Sequence, residues 1–310
     1  MKTYGLIGYP VKHSLSARMH NAAFEELKIE ARYRLFEVAP EDLEDFLSCD
    51  KKIKDKEGNA FSVKDLSGFN ITIPHKVRAK EILEKEFPPY ADKNQVTTAA
   101  YYVKLSGAIN TVKREGKKLL YFNTDATGFL RSLEEDLKFK PEAKSVMLIG
   151  CGGAGRAVIA ALSWKNSGIK KIYVNEVNAK TVESLKKHFL GLPQASRLRQ
   201  VVEFITPEDR AKKISLCQLL VNASPAGMEE GDASIIKKDL LHKGLSVYDV
   251  VYNRQTQLIK DAKSRRLNNS GGLGMLLYQG VAAFEIWTRR KAPVATMRKA
   301  LLKELHGKSH

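Results

Sequence analysis

The sequence has little cysteine and no long apolar run. Its 310 residues include three cysteines, Cys49, Cys151 and Cys217, whose scattered positions fit neither a thiolate metal site nor a disulfide framework. No metal is expected, and a reducing, cytoplasmic location is. No apolar stretch approaches the roughly 20 residues that span a bilayer. The first residues also lack the charged-then-apolar plan of a signal peptide, so no membrane partner is expected. Internal repeats and low-complexity tracts are absent. Acidic residues are outnumbered, 35 against 52 basic ones, for a net charge of +17. Such an excess can bind nucleic acid by releasing counterions from phosphates. Here the basic residues are dispersed, as in 51–56, 113–118 and 289–291, with no aromatic interleaving and no helix-turn-helix pattern. No nucleic-acid partner is expected; the charge mildly favours small anionic ligands.

What is present begins with glycine. The apolar run Val146-Met147-Leu148-Ile149 leads into Gly150-Cys151-Gly152-Gly153-Ala154-Gly155 and then a helical pattern from Arg156 to Trp164. In a strand–turn–helix, Gly150 makes the tight turn and Gly152 lets the backbone approach a pyrophosphate. Gly155 lets the helix pack on the strand, and the helix N-terminus receives the phosphate charge. Strand patterns at 146–149, 172–175, 219–222 and 247–251 alternate with helices, which predicts a parallel sheet covered on both faces.

The first half has strand patterns at 3–8, 32–38 and 68–73, then a hairpin of 108–112 with 119–122 around Glu115-Gly116. Helical patterns cover 17–27, 40–47, 77–86 and 124–137. Residues 50–65 read as an exposed lysine-rich loop, 88–98 are poorly patterned, and 275–305 are largely helical. The expected fold is α/β: an N-terminal α/β substrate domain of residues 1–127, with C-terminal helices 280–310 packing back on it, and a Rossmann-like doubly wound nucleotide domain of residues 128–279. A cleft between the two is expected to hold the chemistry.

A nicotinamide cofactor implies hydride transfer, which at an alcohol needs a group to take the hydroxyl proton. Candidate polar residues gather at strand ends: Ser14 and Ser16 after the first strand, Asn70, Thr72 and Lys76 around the third, Asn110 in the next, and Asn123-Thr124-Asp125 opening a helix. Singly, each has a plainer reading. Ser14, Ser16 and Asp125 suit helix N-caps, and Lys76 suits a surface charge.

Several segments resemble the shikimate dehydrogenase family in order and spacing: His13-Ser14-Leu15-Ser16, Asn70-Ile71-Thr72-Ile73-Pro74-His75-Lys76, Gly107-Ala108-Ile109-Asn110-Thr111 and Asn123-Thr124-Asp125. The Gly150–Gly155 loop, Asn222 to Met228, and Gly272 to Gln279 complete the set, from about Tyr4 to Trp287. The resemblance implies reversible oxidation of shikimate to 3-dehydroshikimate, with Lys76 and Asp125 as the catalytic pair. It implies substrate contacts from Ser14, Ser16, Asn70, Thr72, Asn110, Tyr252 and Gln279. For the cofactor it implies the loop Gly150, Cys151, Gly152, Gly153, Ala154 and Gly155, with Asn175, Glu176, Asn178, Lys180, Ala223, Ser224, Val250 and Gly272.

The chain departs from the family at one telling place. NADP-using members carry Asn-Arg-Thr after the second strand of the nucleotide domain; this chain reads Asn175-Glu176-Val177-Asn178-Ala179-Lys180. Glu176 sits where an NAD-type acid accepts from the ribose hydroxyls, and a carboxylate beside a 2′-phosphate costs about 1 kcal/mol or more. NAD is the expected cofactor, with NADP the alternative. Ala17 replaces a usual proline, Val250 a frequent methionine, the 50–65 segment reads as an insertion, and 88–104 does not align cleanly. An enzyme acting mainly on quinate, or a non-catalytic sensor on the same scaffold, are the competing readings; a sensor has no need of both Lys76 and Asp125. A monomer or homodimer is expected.

Overall fold

The structure is a computed structural model that describes residues 1–48, 51–88, 98–163, 167–193 and 195–307. Cys49, Asp50, residues 89–97 of the poorly patterned stretch, Trp164 and residues 308–310 lie outside the described residues. The chain divides into two compact units, Met1–Gly128 with Leu277–His310, and Phe129–Leu276.

The first unit is built on strands β1 (Lys2–Gly8), β2 (Ala31–Glu37), β3 (Ile53–Lys54), β4 (Ala60–Phe61), β5 (Gly68–Ile71), β6 (Thr111–Glu115) and β7 (Lys118–Phe122). Five of them form a sheet of order β2-β1-β5-β6-β7. β1 pairs in parallel with β2 and β5, while β5, β6 and β7 run antiparallel. β6 and β7 need only a tight turn, and Gly116 supplies it at φ +61°. One face of the sheet buries Ile7, Phe36, Phe69, Ile71 and Val112 with the helix Lys76–Glu86 through Ile82 and Leu83. The C-terminal helices belong to this unit. Trp287, on the helix Leu273–Thr288, donates its ring N–H to the Val112 carbonyl at 2.9 Å. It fits because Gly68 has no side chain: a Cβ there would lie 2.5 Å from Trp287 Nε1. The helix Val294–Gly307 packs on the helix Ser16–Glu26.

The lysine-rich segment differs from the expected loop. β3 and β4 form an antiparallel ribbon, and Asp55 bridges to Phe36 on β2. Its cause is a buried carboxylate: Asp55 Oδ1 accepts from the amides of Glu57 and Asn59 at 2.9 and 2.8 Å, and Oδ2 pairs with Arg34. A helix, Thr98–Ser106, begins where the poorly patterned stretch ends. Asn110 lies just before β6 rather than inside a strand, because β6 begins at Thr111.

The second unit carries β8 (Ser145–Ile149), β9 (Lys171–Asn175), β10 (Val202–Ile205), β11 (Leu219–Asn222), β12 (Ser246–Asp249) and β13 (Asn269–Ser270) in one sheet of order β10-β9-β8-β11-β12-β13. Every pair is parallel. β8 is buried along its whole length, as a central strand covered on both faces must be. The chain leaves β8 toward β9 on one side and later returns to β11 on the other. This makes the C-terminal end of β8 the switch point at which such sheets bind ligands. β10 and β13 add two strands beyond the four that alternation indicates, and β12 ends at Asp249, which leaves Val250 and Val251 in a loop.

Candidate active site

In the first unit, four chain segments converge on an ion pair. Lys76 opens the helix Lys76–Glu86, and Asp125 is the second residue of the helix Thr124–Glu135. Asp125 is free for this because Asn123 caps its helix instead, accepting from the Ala126 amide at 3.2 Å. Lys76 Nζ lies 2.5 Å from Asp125 Oδ2, with the side chains 13% and 7% exposed. Such shielding strengthens the attraction relative to a surface pair. Asp125 Oδ1 accepts from Asn110 Nδ2 at 2.8 Å, and Asn110 Nδ2 also reaches Thr124 Oγ1 at 2.9 Å and Gln279 Oε1 at 3.3 Å. Asn110 Oδ1 takes the Thr124 amide at 2.7 Å, which fixes which end of the amide is nitrogen.

Asn70 stands behind Asn110. Its Nδ2 donates to the Asn110 carbonyl at 3.0 Å and to Thr111 Oγ1 at 2.9 Å, and its Oδ1 accepts from the Tyr33 hydroxyl at 2.8 Å. Both Asn70 protons are thus spent inside the protein, leaving one lone pair for any ligand. Ser14 and Ser16 hydrogen-bond to each other at 3.3 Å, and the helix Ser16–Glu26 begins at a Leu15 cap with no side-chain capping bond. Thr72 follows β5, and its methyl group lies over Gly8, where a Cβ would come within 2.3 Å of it. The structure therefore links Lys76, Asp125, Asn110, Asn70 and Gln279 by direct bonds, with Ser14 and Ser16 as a bonded pair.

The second unit holds the glycine turn. Gly150 has φ +88°, and a Cβ on it would come within 2.8 to 2.9 Å of Ser224 N and Ala223, so the loop after β11 lies directly against the turn. A Cβ on Gly155 would sit 2.2 Å from the Gly150 carbonyl oxygen, and one on Gly152 would meet nothing within 4 Å. The first and third glycines are thus required by packing, and the second leaves the turn open on its outer side. The helix Gly153–Leu162 starts there without a side-chain cap. Its amides are suited to a pyrophosphate, so these residues fit a dinucleotide.

Glu176, just beyond β9, accepts from the Cys151 amide through Oε2 and from the Asn178 amide through Oε1, each at 2.9 Å. It is pinned against the glycine turn rather than solvated at a helix start. Burial and this carboxylate push the Cys151 thiol up to about 12. Asn178 caps the helix Ala179–Leu190 through the Thr181 amide, and Lys180 is exposed on its first turn. Asn175 turns inward: Arg210 Nε donates to its Oδ1 at 2.6 Å, and its Nδ2 donates to the Ile205 carbonyl. Gly272 meets Val250, whose carbonyl oxygen would lie 1.9 Å from a Cβ at that position. Tyr252 lies in the loop between β12 and the helix Gln257–Ser264. Among the described residues no group of three His, Cys, Asp or Glu could hold a metal, and no helix is long and apolar enough to cross a membrane.

Sequence reasoning missed Tyr33, which holds Asn70, and Asp249 and Thr256 near the second constellation; Thr124 was among its candidates and Thr111 was noted only within a motif. The available signal was polar residues in strands and strand ends otherwise filled with apolar ones.

Residues 6–112 match the model of the shikimate dehydrogenase substrate binding domain, and residues 272–302 that of the shikimate 5′-dehydrogenase C-terminal domain. The shikimate dehydrogenase (NADP(+)) of Methanopyrus kandleri is 35% identical over 306 residues, spanning 97% of this chain and 95% of the relative. The chain belongs to the shikimate dehydrogenase family. It is thereby an NAD(P)-dependent oxidoreductase of CH–OH groups.

Two solved shikimate dehydrogenases extend the likeness to the whole fold. One, in complex with NADP+, has a TM-score of 0.79 at 30% identity and covers 98% of this chain and 96% of its own. Another, from Listeria monocytogenes in complex with shikimate and NAD, has a TM-score of 0.78 at 28% identity, covering 97% and 96%. Other relatives of this dehydrogenase family at comparable identity also carry the NADP(+) name, so their names do not support the NAD preference expected from Glu176.

Proposed function

We propose that this chain catalyses the reversible oxidation of shikimate to 3-dehydroshikimate and prefers NAD to NADP. The observation that carries the reaction is the shielded Lys76–Asp125 pair held by Asn110. In this reading the substrate's ring hydroxyl gives its proton to the Lys76 amine in its unprotonated form, while Asp125 holds that amine in place. The nicotinamide, when bound, accepts the hydride from the carbinol carbon. Asn110, Gln279, Thr72, Ser14 and Ser16 supply the hydroxyl and amide groups that a polyol acid needs. A compound lacking a hydroxyl would leave such groups unpaired and be rejected. Asn70, with its protons already spent, acts by holding Asn110 and Thr111.

The cofactor preference rests on Glu176. Its carboxylate is fixed by two backbone amides beside the glycine turn, so it cannot swing aside for a 2′-phosphate without losing both bonds. The test is absorbance at the reduced-nicotinamide band with shikimate and then quinate, each with NAD and with NADP. Reduction with shikimate, at higher kcat/KM for NAD, is expected. No reduction in any arm would overturn the activity, a larger quinate signal would reassign the substrate, and a higher kcat/KM with NADP would overturn the cofactor preference.

A further inference from the structure

Two loops of the second unit are tied to one buried carboxylate. Asp249, the last residue of β12, is fully buried. Its Oδ1 accepts from Asn222 Nδ2 at 3.0 Å and from the Val251 amide at 3.1 Å, and its Oδ2 accepts from Thr256 Oγ1 at 2.6 Å. Asn222 is itself fully committed. Its Nδ2 also donates to the Ala226 carbonyl at 3.0 Å, and its Oδ1 accepts from the Ser224 amide and hydroxyl at 3.1 and 2.7 Å. Thr256 caps the helix Gln257–Ser264 through the Ile259 amide at 3.3 Å, and its Cγ2 lies 2.8 Å from where a Cβ on Gly227 would stand.

We infer that Asp249 is a positioning residue that locks the 223–228 loop and the 250–256 loop into one arrangement for the dinucleotide. The inference rests on the proposed cofactor roles of Ala223, Ser224 and Val250, which lie on those loops. Neither neighbouring element needs the acid to form. The strand is paired along Ser246–Asp249 with β11, and Thr256 caps its own helix. What the carboxylate adds is the link between the loops. Burial pushes its carboxyl above the usual carboxylate range, against the pull of its hydrogen bonds. A buried acid of this kind is tolerated only with its donors in place.

The bonds also make the two obvious variants differ. In Asp249→Asn, Oδ1 keeps Asn222 and Val251, and the new amide donates to Thr256 Oγ1, whose hydroxyl proton turns away. In Asp249→Ala, three donors lose their acceptor. The experiment uses the full chain and reads the Kd for NADH by energy transfer from protein fluorescence, beside kcat and KM for shikimate. Asp249→Asn should stay within about threefold of wild type in each, while Asp249→Ala raises the NADH Kd and lowers kcat by about tenfold or more.

A folded Ala variant within about twofold of wild type in both, or an Asn variant as impaired as Ala, would overturn the inference. Should the Ala variant not fold, Thr256→Val carries the test. It removes the Thr256 bond to Asp249 together with the helix cap, while the Val251 amide keeps its bond, and should raise the NADH Kd by about threefold or more, whereas Thr256→Ser, which keeps both hydroxyl bonds, stays within about twofold; an unchanged Kd in Thr256→Val overturns the inference. If wild type binds NADH but does not oxidise shikimate, the proposed function fails, and the NADH comparison of Ala with Asn still decides the role of Asp249.

Discussion

A side chain's chemistry here depends on which of its atoms are already engaged. Asn70 and Asn110 are the same residue type beside the same site, yet Asn70 has spent both protons inward while Asn110 reaches Asp125, Thr124 and Gln279. No sequence pattern separates the two, because amide orientation is set by tertiary partners. The Lys76–Asp125 pair was legible as residue types at strand ends, but its 2.5 Å contact was not. Lys76→Ala is expected to lower kcat by about a thousandfold, within the range for losing a positioned acid–base group, while the shikimate KM moves within about threefold; steady-state kinetics check this. Glu176→Gln keeps the shape and can still accept from the Cys151 amide while removing the charge. The kcat/KM ratio for NADP over NAD should rise about fivefold, the equivalent of about 1 kcal/mol of relieved repulsion; an unchanged ratio would show that the charge does not set the preference.

Elements were legible where periodicity is strong and opaque where it is short. The strands from β8 through β12, β10 apart, announce themselves as apolar runs between helices, and Gly150 and Gly155 mark the turn that packing makes obligatory. The β3–β4 ribbon has two residues per strand amid lysines, so it has no period to read. It depends on Asp55, whose side chain is 1% exposed and paired with an Arg34 that is 11% exposed. Asp55→Ala strands that guanidinium and two backbone amides, which should cost about 3 kcal/mol of stability. Urea unfolding would register the loss, and a midpoint equal to wild type would mean that Glu57 alone suffices for Arg34.

At the scale of the whole molecule, the net charge of +17 describes a dispersed surface and gave no guide to the fold. The interior carries a clearer electrostatic signature. His20 is fully buried against Tyr33, with ring centroids 4.5 Å apart, and neither ring nitrogen has a hydrogen-bond partner among the described residues. Burial lowers its pKa from the usual 6.5 to about 3, and burial lowers His75 as well. Below about pH 6.5 the unfolded chain therefore binds protons that the folded chain refuses. This contribution to stability is complete above that pH and is lost progressively as pH falls toward 3, by up to about 1.4 kcal/mol per pH unit for His20. Urea midpoints measured from pH 7 to 4.5 should fall accordingly, and His20→Phe should flatten the slope; a slope identical to wild type would remove His20 from the account.

The Asn110 amide has a consequence for how a ligand enters. Three acceptors, Thr124 Oγ1, Asp125 Oδ1 and Gln279 Oε1, compete for its two protons. In the proposed reading, a substrate hydroxyl that donates to one of them would relieve that competition.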